Sequence, residues 1–533
     1  MTEIAQSAGP ARAATTHFSP ADTRGFLMGL GLATGMEFYT FDSVNLVLPD
    51  VAGTLGLSAD EASWLLTIYS CTLFVGVPIS VWLAGHVGYK RYLIASTVLF
   101  AIASIGCAIS SRLETLLVWR AILGVAGSGL IMWWRASVYM LVTGPRRSPL
   151  MTRLSTSLYL SSAAGLLASG FLTDRVNWRL IFLPNLLFAA GAVSFLLRFY
   201  PNVPRPSSPR VTKTDFPGIA LIAVALISLQ IVLSRGEIDD WFGSRFIRTL
   251  TWTSAASFAV FLWWQNSARN RAPLIDVALM RDRHVVSSVL IGLFAGLILS
   301  GSLYVLPEFL RNISAHTYSA TQTGRIICIY ALAAAAVRPL VAPVVARLGQ
   351  RKTIALALAM LITSMLVFEH YLTTGTSVGY YVLPLVLYAL CLAPLLSAIG
   401  SGVVSRVKQP EKLLDAVSIY MTFRQLGASL GVALLNILLD HRETLHSARL
   451  FEHLHRDDAG TSGWLATQGA NAVTRGGYSI VDSHLMALGQ LAAAARQQAA
   501  TLSYADAFGF MALIGVAALC TVPIIPPTPV IRK

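Results

Sequence analysis

Residues 83–91 read LAGHVGYKR, and residues 344–352 read VVARLGQRK. Each stretch sets a glycine, Gly88 or Gly349, two residues before a pair of cations, Lys90-Arg91 or Arg351-Lys352. His86 or Arg347 stands upstream of the glycine. Both stretches lie between long apolar segments. A membrane-crossing helix needs ~20 mostly apolar residues, and such segments recur from Gly25 to Ile525. We place them at Gly25–Leu48, Ser63–Leu83, Leu93–Ile109, Leu116–Leu141, Leu154–Leu172, Leu180–Leu197, Phe216–Leu233, Leu250–Trp264, Val285–Leu306, Ile326–Ala346, Thr353–Tyr371, Tyr381–Val404, Ala416–Leu439 and Phe508–Ile525. The first quoted stretch joins the second segment to the third, and the second joins the tenth to the eleventh. If they correspond, the repeat offset is eight helices. A six-helix half followed by two inserted helices gives that offset.

The expected fold is therefore an all-α polytopic membrane protein of fourteen spans, built as two six-helix bundles plus an inserted pair. The expected divisions are a tail at 1–24, a bundle at 25–198, a linker at 199–214, the insert at 215–270 and a second bundle at 271–533. Composition agrees. The chain has 533 residues, 55% hydrophobic and 12% charged, whereas a soluble domain carries ~25% charged residues. The net charge of +14 does not read as nucleic-acid binding, because the cations sit in short loops rather than in one stripe. The five cysteines lie in or beside apolar segments and form no Cys-x-x-Cys pair. No disulfide framework, metal site or cofactor is expected. The segment Met1–Arg24 is polar and lacks the apolar core of a cleavable signal.

Loop charge sets the expected orientation. Cations cluster at His86/Lys90/Arg91, Arg146/Arg147/Arg153, Arg205/Arg210/Lys213, Arg269/Arg271/Arg281/Arg283, Arg347/Arg351/Lys352 and Arg406/Lys408/Lys412. The alternate loops, such as Pro49–Ala62 and Leu372–Gly379, carry none. Short basic loops stay cytoplasmic, so both termini are expected in the cytoplasm. The Pro-rich linker Pro201–Thr214 falls on that side. A long polar loop, 440–504, falls outside. It reads as a solvated cap or as a docking surface, and Ser483–Ala500 has the pattern of an amphipathic helix.

Several stretches resemble the fourteen-helix drug:proton antiporters of the EmrB/QacA type in the major facilitator superfamily, over nearly the whole chain. The fourth segment carries Arg120, Gly124, Gly127 and Gly129 at the spacing Arg-x-x-x-Gly-x-x-Gly-x-Gly. The run Trp178-Arg179-Leu-Ile-Phe182, followed by Asn185, is similar to the family's entry to the sixth helix. Asp215-Phe-Pro-Gly218 and Pro273-Leu-Ile-Asp276 resemble the borders of its inserted pair. Arg424-Gln425-Leu426-Gly427 and the run from Gln498 to Phe508 resemble its late signatures. The resemblance implies parallel six-helix halves around a midplane site, and export driven by proton exchange. It also implies gating or packing roles for Gly88, Lys90, Arg91, Gly124, Gly127, Gly129, Gly165, Gly170, Arg424 and Gly427. Four positions depart from the pattern, Thr40, Gly85, Leu166 and Ser169. Thr40 stands where the family has an Asp in the first helix, and Gly85 where its loop motif has another. The fifth-helix motif Gly-Pro-x-x-Gly-Gly reads Gly165-Leu166-Leu-Ala-Ser169-Gly170.

Ionisable groups within spans are costly and face a cavity or a partner. Asp42 lies seven residues before Pro49, and Arg120 seven after Leu113. Both fall ~10 Å from the outer end at 1.5 Å per residue. They read as a coupled pair or as a fixed strut. Glu37 falls ~18 Å down, near the midplane, and reads as the proton carrier facing the cavity. Arg135 reads as an anion contact, with Trp133 or Trp134 as an aromatic wall, or as a snorkelling side chain. Arg338 reads as snorkelling toward the inner loop, and Arg424 as a structural residue near the inner gate. The glycines Gly124–Gly129 read as a close helix-packing surface.

No Walker-type Gly-x-x-x-x-Gly-Lys-Ser/Thr stretch is present, which argues against an ATP motor. The scattered histidines argue against a membrane enzyme. The expectation is a secondary transporter of the bacterial inner membrane, not an enzyme. It would export amphipathic small molecules against protons by alternating access. The basic lean of the span charges favours weak acids or anions as substrates. The alternative is a facilitator or symporter for a small metabolite. Protons and membrane lipids are the expected partners, and the outer loop leaves room for a periplasmic adaptor and outer-membrane channel.

Overall fold

A computed structural model describes residues 20–142, 146–202, 215–270, 273–405, 410–454, 458–476 and 479–525. The expected tail up to residue 19 and the linker residues 203–214 lie outside the described residues. Fourteen α-helices carry the described chain: α1 (Pro20–Leu55), α2 (Ala59–Val87), α3 (Tyr89–Ile109), α4 (Leu113–Leu141), α5 (Arg147–Arg175), α6 (Pro184–Phe199), α7 (Phe216–Arg235), α8 (Arg245–Gln265), α9 (Arg283–Glu308), α10 (Ala320–Tyr371), α11 (Val378–Ser405), α12 (Pro410–His453), α13 (Ala459–Gly476) and α14 (Ile480–Thr521). All fourteen expected apolar segments fall on helix, two of them on the long α10. Ten of the helices are long and apolar enough to cross a membrane by length and composition.

Local chemistry fixes where the helices start and turn. Ser58 with Glu61, and Ser319 with Gln322, form capping boxes at the starts of α2 and α10, each satisfying two orphan backbone donors. Gly88 separates α2 from α3 with φ 98° and ψ 136°. Gly349 bends α10 with φ 77° and ψ 163°. A side chain at either position would be strained. The two stretches quoted at the outset thus share one glycine-dependent turn.

The first bundle packs α1 on α5 and α6, α2 on α4, and α3 on α4 and α6. The second packs α9 on α12 and the two arms of α10 on α11 and α14. Apolar lipid supplies no hydrophobic drive between spans, so close approach through small residues has to supply packing energy. The resemblance motifs do this. A Cβ at Gly124 would overlap Thr72 Oγ1 and lie 2.6 Å from the Tyr69 carbonyl oxygen. One at Gly165 would lie 2.6 Å from the Tyr39 carbonyl oxygen, and one at Gly427 would overlap that of Leu293. One at Gly129 would lie 2.7 Å from Ser96 Oγ.

The two bundles meet most closely where α5 crosses α10. A Cβ at Gly170 would lie 2.5 Å from the Ala320 carbonyl oxygen. This contact lies toward the end of the molecule that carries the α1–α2 connection, opposite the basic Gly88 and Gly349 turns. Polar links reinforce that end. Arg311 donates to both carboxylate oxygens of Asp50, at 2.5 and 3.0 Å, and to the Leu46 carbonyl at 2.9 Å. Asp174, at the end of α5, accepts from Ser319 Oγ at 2.7 Å, Ala320 N at 3.3 Å and Thr321 N at 2.7 Å. It thereby caps α10 from the other bundle. At the basic end, Lys90 donates to the Leu197 carbonyl at 2.7 Å within the first bundle, and Arg91 is exposed.

The inserted helices α7 and α8 pair with one another, and α7 lies on both α2 and α12. Asp215 ties their basic end together. Its carboxylate accepts from Gly218 N, Trp264 Nε1, Gln265 Nε2 and Asn270 Nδ2 at 2.7–2.9 Å. The segment 440–504, expected as a polar loop with an amphipathic helix at Ser483–Ala500, is largely helical among its described residues. The apolar helices α12 and α14 run on into it, with α13 packed on α14.

Candidate functional site

A cavity of about 270 Å³ lies between the bundles, with α7 closing one side. Its wall includes Glu37, Asp42, Arg120, Trp134, Arg135 and Arg424 among the residues expected from sequence. Phe38, Phe41, Leu392 and Leu396 give it apolar walls beside Tyr69, Tyr159, Tyr330 and Tyr388, interrupted by neutral polar side chains such as Gln230, Gln425 and Asn436. Apolar walls with a few polar groups are the usual chemistry of small-molecule sites.

Glu37 is buried on α1 and accepts a hydrogen bond from Tyr69 Oη at 3.1 Å. The glycine Gly127 clears the space beside it, because a Cβ there would lie 3.2 Å from Tyr69 Oη and 3.5 Å from Glu37 Cγ. Arg120 is also buried. Its guanidinium sits 4.4 Å from the Tyr69 ring centroid, and its Nε donates to the Leu65 carbonyl at 3.2 Å. Arg120, Tyr69 and Glu37 thus form one chain: a cation on the face of a ring whose hydroxyl holds a carboxylate.

Asp42 does not pair with Arg120, contrary to the expectation. It accepts instead from Ser162 Oγ on α5 and from Tyr330 Oη on α10, the latter at 3.2 Å. Tyr330 and Ser162 are themselves 3.0 Å apart. Asp42 therefore links the two bundles. Equal depth brought Asp42 and Arg120 to one level, but residues turn by 100° each on a helix, and depth says nothing of facing direction.

Thr40 explains one departure from the family pattern. It is buried toward α6, where Asn185 Nδ2 donates to its Oγ1 at 2.8 Å and to Ser104 Oγ at 3.0 Å. A neutral Thr–Asn pair occupies the place where the resemblance implies an acid.

Three further expectations change. Trp133 is not at the cavity. It is 1% exposed and packs between Tyr89 and Tyr92, at ring-centroid distances of 4.8 and 6.3 Å. Trp134 faces the cavity, and the Arg135 guanidinium lies 4.6 Å from its ring. Arg338 does not snorkel. It is 6% exposed and its Nη2 lies 3.4 Å from Ser155 Oγ on α5. Arg424 turns its side chain to the cavity, near enough to Glu37 for their charges to interact.

The sequence reading missed Tyr69, Ser162, Tyr330 and Gln230. Gln230, on the inserted α7, lines the cavity and accepts from Ser429 Oγ at 2.5 Å. Polar side chains inside otherwise apolar spans were the available signal. The only grouping of three His, Cys or carboxylate ligands found among the described residues is Glu237, Asp440 and His441. It is not part of the cavity wall.

This architecture has known counterparts. The Major Facilitator Superfamily pattern matches residues 27–432. The chain belongs to the major facilitator superfamily. It is a transporter rather than an enzyme, in keeping with its superfamily relatives. It is 26% identical over 432 residues to the multidrug export protein EmrB of Escherichia coli K12, covering 80% of this chain and 82% of that one. It is 25% identical over 487 residues to the fatty acid resistance protein FarB of Neisseria gonorrhoeae, covering 87% and 92%. Among solved structures, the fold matches the human organic anion transporter MFSD10 with a TM-score of 0.57 at 16% identity, covering 93% of this chain and 100% of that one. It also matches a bacterial homolog of the human lysosomal transporter Spinster with a TM-score of 0.56 at 14% identity, covering 95% and 98%. Within the superfamily, the EmrB-type resemblance read from the sequence agrees with these export relatives.

Proposed function

We propose that this protein exports amphipathic organic compounds across the cytoplasmic membrane in exchange for protons, by alternating access of the central cavity. Its basic loops and termini lie in the cytoplasm in this reading. The observation that carries the proposal is Glu37, a buried carboxylate on the wall of an otherwise largely apolar cavity. A carboxylate there takes up or releases a proton where a substrate binds, and burial makes the charged form costly. Tyr69 and Arg120 hold it in place. Asp42 is a second proton site, and it also touches both bundles, so its ionisation bears on their relative position.

The closed end supports alternating access. Asp50–Arg311, the Asp174 cap and the α5–α10 contact join the bundles at the end away from the basic loops. In the proposed orientation that end is outward, and these links break when the cavity opens outward. The helical extension formed by α12, α13 and α14 then projects outside, where an adaptor protein leading to an outer-membrane channel has a surface to engage.

Thr40 and the altered Gly165–Gly170 motif support a second reading, a facilitator or symporter for a small metabolite. Proteoliposomes with an imposed pH gradient separate the two. Substrate-dependent proton movement opposite to substrate flow supports exchange. Substrate flux without proton movement, or with co-directional movement, supports the second reading.

A further inference from the structure

Two arginines, Arg135 and Arg424, line the cavity without a salt bridge to a carboxylate among the described residues, and a third, Arg338, is buried outside that lining. Arg135 comes from α4 of the first bundle, Arg338 from α10 and Arg424 from α12 of the second. Arg135 lies close enough to both of the others for their charges to interact. None of the three forms an ion pair with a carboxylate among the described residues, and Arg338 has only the contact with Ser155 at 3.4 Å. Glu37 is the one carboxylate whose charge reaches Arg424, and its own bond is to Tyr69.

Like charges held together away from water repel, and each has lost hydration. A structural cation in a membrane bundle is normally matched by an acid or by backbone carbonyls. Here Arg135 and Arg424 face a cavity whose walls are largely apolar. Trp134, Leu392, Leu396 and Met421 line the same cavity. Guanidinium groups suit carboxylate and sulfonate oxygens in particular, because their planar N–H donors match two acceptors at once.

We propose that Arg135 and Arg424 form the headgroup site for an amphipathic organic monoanion, a carboxylate or sulfonate, with its apolar body against Trp134, Leu392, Leu396 and Met421. This rests on the transport reading above and names its substrate class. Arg338, buried outside the cavity lining, adds positive potential at Arg135. The two contact residues come from opposite bundles. An empty site leaves them repelling at the basic end, and a bound anion attracts both. The substrate itself thus draws the basic end together, which is the movement that alternating access requires there.

The test compares three probes that share one apolar body: 4-phenylbutyrate, 4-phenylbutylammonium and 4-phenylbutanol. Binding to the purified full-length protein in a neutral detergent is measured by equilibrium dialysis at pH 7.5. The butyrate is expected to bind at least 10-fold more tightly than the ammonium or the alcohol. Arg135→Gln and Arg424→Gln are each expected to weaken butyrate binding by at least 10-fold and to leave the alcohol unchanged. Arg135→Lys is expected to keep part of the affinity, which controls for misfolding. Equal binding of all three probes, or an unchanged butyrate affinity in both Gln variants, overturns the proposal. Proton-gradient transport of the same probes is read separately. Exchange-driven ammonium export without butyrate binding sinks the anion site and keeps the export reading. Tight, arginine-dependent butyrate binding without proton movement keeps the site and sinks the exchange mechanism.

Discussion

The Tyr69 hydroxyl donates to the Glu37 carboxylate at 3.1 Å inside the bundle, while Arg120 rests on the opposite partner of that bond, the tyrosine ring, at 4.4 Å. The hydroxyl joins the ring that carries the cation to the acid. Tyr69→Phe keeps the ring and the cation contact but removes the bond to a charged group, worth ~1.5–3 kcal/mol. Proton-driven transport in proteoliposomes is expected to fall about tenfold or more, with expression unchanged. Glu37→Gln is expected to abolish coupling while the protein still folds. Proton-driven export that persists in that variant removes Glu37 from the mechanism.

The bidentate Arg311–Asp50 pair predicts a shift in conformational balance. Asp50→Asn weakens one link between the bundles, and pairs of this partly exposed kind contribute ~0.2–1 kcal/mol. Spin labels placed on the ends of α1 and α9 are expected to show the separated state more often, by up to about fivefold. The double exchange Asp50→Arg with Arg311→Asp is expected to restore part of the balance. An unchanged distance distribution in Asp50→Asn counts against the link.

Asp174 predicts what acid does to the same end. Burial pushes its carboxyl up, but the bonds from Thr321, Ser319 and Ala320 outweigh that and hold it below the ordinary carboxylate range. A carboxylate with a lowered folded pKa contributes stability above its unfolded value, ~3.9, and loses it as pH falls through the lower folded value. The Asp174 cap is therefore expected to hold from pH 7 down to pH 5. Label distances across α5 and α10 check this. Opening in that window that persists in Asp174→Asn comes from another group.

Gly170 predicts a steric test. An added side chain would meet the Ala320 backbone, which cannot swing aside as a side chain can. Gly170→Val is expected to part the bundles at this end and abolish transport, and labelling of a cysteine introduced at Thr321 is expected to rise. Gly375, with open space around its Cβ position, gives the control. Gly375→Val is expected to change neither reading by more than about twofold, since surface substitutions stay within ~0.5 kcal/mol.

Much of the fold was legible because membrane burial writes itself into length and apolarity. All fourteen segments were placed on helix, and the glycines of the two quoted stretches mark matching turns. The helical continuation of α12 beyond the apolar stretch was not read, because polar exposed helix carries no such mark, whereas part of that of α14, Ser483–Ala500, showed in its amphipathic pattern. The site was read in height but not in azimuth. Glu37 and Trp134 face the cavity as expected. Trp133, one residue from Trp134, turns into the bundle. Asp42 and Arg120 share a level and point to different neighbours. The tyrosines that hold both acids went unread, since a hydroxylated aromatic within a span resembles ordinary core.

The inserted helix α7 touches both bundles. Gln230 is bonded to Ser429 on α12, and Arg235 Nη1 lies 3.4 Å from Ser63 Oγ on α2. Two rigid bodies that rock against each other cannot keep a third fastened to both. Under the alternating access proposed above, one of these contacts releases in each cycle, and the other decides which bundle carries the insert along. Arg235 also lies 5.0 Å from the Trp64 ring centroid on α2, so the insert is a passenger with several handholds, and cutting those on each side in turn reveals its vehicle. If Gln230→Ala frees α7 from the second bundle, the width of the gap between α2 and α12 is no longer limited by the reach of one glutamine.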